Sequence, residues 1–233
     1  MRDAVPSYRG YRFPVEIISH AVWLYHRFCL SFRDVEDLLA QRGVQVTYET
    51  IRQWCQTFGP AYAKRLRQRR GRMGDTWYLD DLFVTMQGRR QYLWRAVDEG
   101  GDVIDILVQA RRNRHAAMRF FRTLLKSQGR VPRRLITDRL SSYAAAHRVV
   151  MPSVVHGTRQ YENNRAEVSH QPTRQRERQM RRFRSARHAQ RFLAVQGLVL
   201  NLFRVGRHLL RAAHQRLLRT RAFGVWNAVT TAA

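Results

Sequence analysis

The sequence places three carboxylates where they could hold metal ions. Asp80 lies in the apolar run Trp77-Tyr-Leu-Asp-Asp-Leu-Phe-Val84, Asp138 closes Leu135-Ile-Thr-Asp138, and Glu167 stands one turn into Asn164-Arg-Ala-Glu167. A strand-borne aspartate, a strand-end aspartate and a later helical glutamate form the pattern of a two-metal phosphoryl-transfer site. Magnesium is a hard ion that takes oxygen ligands, usually one or two carboxylates completed by phosphate oxygens and water. Two such ions about 3.5–4 Å apart can activate the attacking oxygen and stabilise the leaving oxygen of an in-line displacement. Mg2+ is therefore the expected ion, in two copies, with Mn2+ as a substitute that accepts the same donors.

The residues alone leave other roles open. Asp80 could face solvent and pair with an arginine, which would leave its neighbour Asp81 as the inward carboxylate. Asp138 could cap a helix beginning near Ser141. Glu167 fits the third position of a capping box with Asn164 at the N-cap. Two things favour chemistry. A charge in the middle of a strand is costly unless it is paired or binds a metal. Acidic residues are also scarce after residue 105, where Asp138, Glu162, Glu167 and Glu177 are the whole set.

The elements that would carry these groups follow from periodicity. Alternation predicts strands over Trp77–Met86, Gln91–Val97 and Val103–Gln109, the last two joined by the turn Asp98-Glu-Gly-Gly-Asp102. An amphipathic helix over Asn113–Ser127 would bury Ala117, Phe120, Phe121, Leu124 and Leu125 and end at Gly129. A short strand over Arg134–Thr137, a helix over Ser141–Val150 and a further strand over Val154–Gly157 come next. From Asn164 onward the pattern is helical, first very basic and then apolar from Phe192 to Leu210. Antiparallel strands, a crossover helix and a further strand describe a mixed α/β sheet flanked by helices. Asp138 would then sit at the strand-end rim, where ligands commonly bind. Trp54, Trp77 and Trp94 read as core.

Ahead of the sheet the period is helical. Val15, Ile18, Val22, Leu24 and Tyr25 share a face; Ser31-Phe-Arg-Asp34 starts a second helix that stops at Gly43. Thr47 is a cap for a third helix with Ile51, Trp54 and Phe58 inward, closed by Gly59-Pro60. Two short helices joined by a tight turn fit a helix-turn-helix, which would offer Tyr48, Glu49, Arg52, Gln53 and Gln56 to the major groove. A plain helical bundle with a solvated face fits the same pattern. The expected organisation is a helical DNA-binding domain over 1–60, a basic linker over 61–74, a catalytic domain over 75–192 and a helical extension over 193–233.

Charge names the partner. The formal net charge is +26, and residues 106–233 carry 27 basic residues against 4 acidic ones. With 44% hydrophobic and 11% aromatic residues the chain can bury a core, which sets it apart from a disordered basic tail. Such a protein calls for a polyanion, above all nucleic acid. No apolar run reaches the length of a membrane span, and no signal-peptide pattern opens the chain. Cys29 and Cys55 form no CxxC pair or disulfide framework, which points to a reducing, cytoplasmic setting. Arginines 174, 176, 178, 181, 182, 184, 187 and 191 lie on or just beyond the Glu167 helix. Beside a phosphate-processing site they suggest a track for DNA, with Arg174, Arg178, Arg181, Arg182 and Arg184 as its candidate contacts. His170, three residues beyond Glu167, could contact a phosphate or a leaving group; a structural role fits it as well.

At these residues the chain resembles the DDE transposases of bacterial insertion sequences, of the IS-six (IS-twenty-six-like) family. The matching text is Gly74-Asp-Thr-Trp-Tyr-Leu-Asp80-Asp-Leu-Phe-Val, Tyr92-Leu-Trp-Arg-Ala-Val-Asp98, Leu135-Ile-Thr-Asp138-Arg-Leu and Asn163-Asn-Arg-Ala-Glu167-Val-Ser-His-Gln-Pro172-Thr-Arg, then Arg176-Glu-Arg-Gln-Met-Arg-Arg-Phe183. The resemblance runs from about Phe13 to Leu210. It implies an RNase H-like catalytic domain behind a helix-turn-helix, with Asp80, Asp138 and Glu167 as the triad. Members usually carry Glu directly after the first Asp, where this chain has Asp81, and only 28 residues separate Asp138 from Glu167. The implied activity is binding of terminal inverted repeats, Mg2+-dependent 3′-end cleavage and strand transfer into target DNA. That work joins two ends and implies at least a dimer, in a cytoplasmic, nucleoid-associated protein. The competing readings are an inert helix-turn-helix DNA-binding protein and an RNase H-like nuclease without strand transfer.

Overall fold

The structure, a computed structural model, describes residues 6–159, 161–179, 183–204 and 210–231. Arg181 and Arg182 lie outside the described residues. The chain divides into two compact units, residues 1–70 with 194–233, and residues 71–193.

The helical unit starts with α1 (Val15–Arg27), α2 (Phe32–Ala40) and α3 (Tyr48–Arg69). Local chemistry sets the helix starts. Ser31 Oγ accepts from the Asp34 amide (3.1 Å) while the Asp34 carboxylate accepts from the Ser31 amide (2.7 Å), a complete capping box before α2. Thr47 Oγ1 accepts from the Thr50 amide at the head of α3. Gly43 takes a φ of +77° in the turn between them, a conformation open to glycine at little cost. Ile18, Val22, Val35, Ile51, Trp54 and Phe58 meet in the core.

The third helix departs from expectation. It does not close at Gly59-Pro60 but runs to Arg69, so residues 61–69 are helical rather than a linker. Proline removes one helical hydrogen bond, yet the buried face continues through Phe58, Tyr62, Ala63 and Leu66, and that burial outweighs the loss. Gly59 serves packing here: a side chain on it would start 3.4 Å from the His26 ring and 3.6 Å from Val195. The C-terminal helix α9 (Ala212–Thr230) belongs to this unit. Trp226 packs edge-on against Tyr62, and the Arg65 guanidinium donates to the carbonyls of Val229 (2.6 Å) and Ala228 (3.2 Å), which neutralises the helix end.

The second unit is built on a five-stranded sheet in the order β3-β2-β1-β4-β5. Its strands are β1 (Thr76–Met86), β2 (Arg89–Asp98), β3 (Val103–Gln109), β4 (Arg134–Thr137) and β5 (Val155–Gly157). β1, β2 and β3 form an antiparallel meander; β4 pairs parallel to β1, and β5 parallel to β4. This mixed sheet is the RNase H-like arrangement. Its helices are α4 (Arg114–Gln128), capped by Asn113 and ended at Gly129 with φ +64°, and α5 (Ser141–Val150). Together they cover one face of the sheet around Trp77, Leu79, Trp94, Phe120, Phe121, Leu135 and Tyr143. Then follow α6 (Asn164–Ser169), α7 (Gln171–Gln179) and α8 (Ala186–Leu202), the last passing into the helical unit's residue range.

The helix expected from Asn164 is therefore two helices. Pro172 cannot donate to the turn before it, and the chain breaks at His170. The alternative role for Glu167, in a capping box with Asn164 at the N-cap, is not what forms: the N-cap is Asn163, without a side-chain cap bond.

Candidate active site

Strand geometry brings the first two carboxylates together. In the parallel β1–β4 pair Leu79 stands beside Thr137, so the next residues, Asp80 and Asp138, are neighbours at the end of β4. Successive strand residues face opposite sides, and Asp80 and Asp81 divide accordingly. Asp81 faces the side of α4 and α5, where Tyr143 Oη donates to it at 3.4 Å. Asp80 faces the side of α6, where His170 Nε2 stands 3.4 Å from its Oδ2. Carboxylate oxygens of Asp80, Asp81 and Asp138 nevertheless lie within 4.8 Å of one another. Asp138 does not cap α5, whose N-cap is Leu140 without a side-chain cap bond; its Oδ1 accepts from the Leu140 amide at 3.1 Å in the turn ahead of the helix.

Glu167 is exposed on α6 and stands outside that triangle, but its charge is felt at Asp80. Two buried tethers hold its helix against the sheet. Asn163 Nδ2 donates to the Leu79 carbonyl at 2.8 Å at the start of α6. Arg95, on β2, donates to the Ser169 carbonyl at its end and to Thr173 Oγ1 (2.5 Å) in α7.

The electrostatics mark a place short of positive charge. Burial, then the negative charges of Asp138, Asp81 and Glu167, push the Asp80 carboxyl up to about 7, although the Asp81 amide donates to it. Burial likewise raises Asp81, against the pull of Arg112, whose Nε donates to Asp81 Oδ2 at 2.7 Å. Burial, with Arg95 and Arg174 nearby, holds the His170 imidazole well below its usual range, so it is neutral at pH 7. Crowded hard oxygen donors of this kind suit a divalent cation, and the like-charge strain at Asp80 is what such an ion would relieve.

Other expected residues fall where they can be seen from outside. Tyr48, Gln53 and Gln56 are exposed on α3, and Arg52 is half-exposed, pairing with Glu49 through Nε at 2.8 Å. Arg174, Arg178 and Arg184 are exposed; Arg174 and Arg178 lie on α7, beyond the break, rather than on the Glu167 helix. Arg176 departs from the expected basic track: it is fully buried, with its guanidinium over the Phe192 ring at 4.6 Å. Residue spacing alone misses three roles: the Arg95 and Asn163 tethers and the Arg112 contact. Only Asn163 carries a signal, as part of the Asn-Asn-Arg-Ala-Glu block.

Paired aspartates at the centre of an RNase H-like sheet, with the Glu167-bearing α6 over the face that Asp80 points to, fit a metal-dependent nuclease or polynucleotide-transfer enzyme. A family model described as a DDE domain matches residues 74–205. The transposase for insertion sequence-like element IS431mec of Staphylococcus aureus strain Mu50 is 31% identical over 168 residues, 70% of this chain and 75% of that protein. The transposase for insertion sequence element IS257 in transposon Tn4003, also from Staphylococcus aureus, matches with the same identity and coverage. Among solved structures, a chain of the simian T-cell lymphotropic virus intasome in complex with PP2A regulatory subunit B56 gamma aligns with a TM-score of 0.40 at 13% identity, over 76% of this chain and 66% of that one. The chain belongs to the DDE transposases of insertion sequences, divalent-metal enzymes that cut and join DNA. Among the described residues no helix is long and apolar enough to cross a membrane.

Proposed function

We propose that the protein binds the terminal inverted repeats of its insertion sequence through α2 and α3, cleaves the 3′ ends and transfers them to target DNA. Asp80, Asp138 and Glu167 are the residues assigned to Mg2+, which when bound would supply Lewis-acid activation of the attacking and leaving oxygens. The observation that carries the reading is the side-by-side placement of Asp80 and Asp138 at the β1–β4 junction.

The chain's own groups then have separate tasks. Asp80 and Asp138 present anionic oxygens from rigid strands, so little motion is needed to receive an ion. Asn163 and Arg95 hold α6 against the sheet, from where Glu167 would complete the same site. Neutral His170 packs behind Asp80 and limits its rotation. Exposed Arg174, Arg178 and Arg184 offer phosphate contacts to the DNA, with Tyr48, Arg52, Gln53 and Gln56 assigned to its base edges. Ser141, Ser142 and Tyr143 need no nucleophilic role, because no covalent protein–DNA intermediate is required. Joining two ends calls for at least two copies of the chain, acting on DNA in the cytoplasm.

The test is incubation of oligonucleotides carrying the element's ends with a target plasmid and Mg2+. Joined products are expected. Cleaved but unjoined ends would favour a nuclease, and sequence-specific binding with no metal-dependent cleavage would favour an inert DNA-binding protein.

A further inference from the structure

We propose that Arg112 is a resident counter-cation of the site: before a metal ion arrives its guanidinium holds Asp81 and Asp138 in register, and it yields Asp138 when the ion binds. This rests on the reading of Asp80 and Asp138 as metal ligands.

Arg112 lies in the connection between β3 and α4, and its two contacts are unequal. Nε donates to Asp81 Oδ2 at 2.7 Å, and the Asp81 side chain is 2% exposed. Nη2 stands 3.7 Å from Asp138 Oδ2, where both side chains are more than a third exposed. The inner contact is short, hydrogen-bonded and shielded from solvent. The outer one is long, wet and screened, the kind of pair that contributes little. A guanidinium can serve both at once because its donors form a rigid planar fork.

The position makes Arg112 a competitor for the ion. The two carboxylates it approaches belong to the same triangle, with oxygens within 4.8 Å of one another, that could receive a divalent cation. At equal distance a dication attracts a carboxylate twice as strongly as a guanidinium does. Asp138 would therefore be released to a bound ion, while the buried pair between Arg112 and Asp81 would stay made and keep the arginine at the rim. One cation, anchored from behind by Asp81, offsets part of the repulsion among the three carboxylates.

The experiment is Mn2+ titration of the full chain, with free Mn2+ read by electron paramagnetic resonance, for wild type, Arg112→Gln and Arg112→Lys. Thermal unfolding is followed alongside, with and without Mn2+. Arg112→Gln is expected to bind Mn2+ up to about fivefold more tightly, the range set by removing an exposed ion pair. It should also unfold at a lower temperature without metal and gain more from Mn2+. Arg112→Lys, whose single ammonium cannot span both carboxylates, should shift in the same direction by less, and it carries the comparison alone if the glutamine variant does not fold. Unchanged or weaker Mn2+ binding in the variants overturns the proposal, because a purely structural arginine would lower affinity when removed. If wild type shows no Mn2+ binding that Asp80→Asn abolishes, the metal-site reading fails and this proposal falls with it.

Discussion

Asp80 stands directly opposite Arg95 across the β1–β2 ladder, and Arg95 directs its guanidinium to the Ser169 carbonyl and the Thr173 hydroxyl. The residue facing the first aspartate thus fastens the far end of the helix that carries Glu167. Asn163 fastens the near end, through the carbonyl of Leu79, the residue just before Asp80. The helical acid is held by the strand that carries Asp80 and by its neighbour β2, which couples the spacing of the site to the sheet.

Asn163→Ala tests that coupling. It leaves the Leu79 carbonyl without its side-chain donor, and removing a buried hydrogen bond costs about 1–3 kcal/mol. Thermal unfolding should show this loss, and cleavage should fall at a temperature where the variant is fully folded. Cleavage at the wild-type rate would mean that α6 needs no such tether.

The raised Asp80 carboxyl predicts a pH signature. With its folded value at about 7, the ion-free protein retains a proton that the unfolded chain has released above about pH 4, so stability falls as pH rises from about 4 to about 7 and levels off beyond. Metal binding needs the ionised form, so stabilisation by Mg2+ should grow over the same window. The melting temperature measured at several pH values, wild type minus Asp80→Asn, should slope downward without metal. A flat or rising difference contradicts the assignment.

DNA recognition is predicted to separate from chemistry. Replacing Gln53 and Gln56 by Ala should lower affinity for the element's ends, by about 1–3 kcal/mol for each base edge no longer read, with little change for unrelated DNA. Replacing Arg174 and Arg178 should weaken both kinds of DNA alike and flatten the salt dependence. Gel shifts at two salt concentrations distinguish these patterns. Equal weakening on both DNAs in the glutamine variant would remove α3 from sequence reading.

Much of the fold was legible because local chemistry dictates it. Ser31, Thr47 and Asn113 cap helices through their own side chains, and Gly129 ends α4 where a left-handed residue is needed. The Gly59-Pro60 stop misled because burial of Tyr62 and Leu66, a tertiary matter, carries α3 past it. Asp80 could be singled out because a charge in mid-strand is costly, and Asp138 because it closes a strand where acidic residues are scarce. The place of Arg112 could not: it meets Asp81 across 31 positions of sequence, and one arginine among so many gives no signal. Arg176 shows the same limit, since its burial over Phe192 depends on where α8 packs.

The central claim is that Asp80, Asp138 and Glu167 act as one site on DNA. The most direct measurement compares wild type with Asp80→Asn, Asp138→Asn and Glu167→Gln for strand transfer of end oligonucleotides into a plasmid with Mg2+, with gel shifts on the same ends. The account predicts loss of joined product in all three variants with end binding retained. Full joining by any one of them would contradict it.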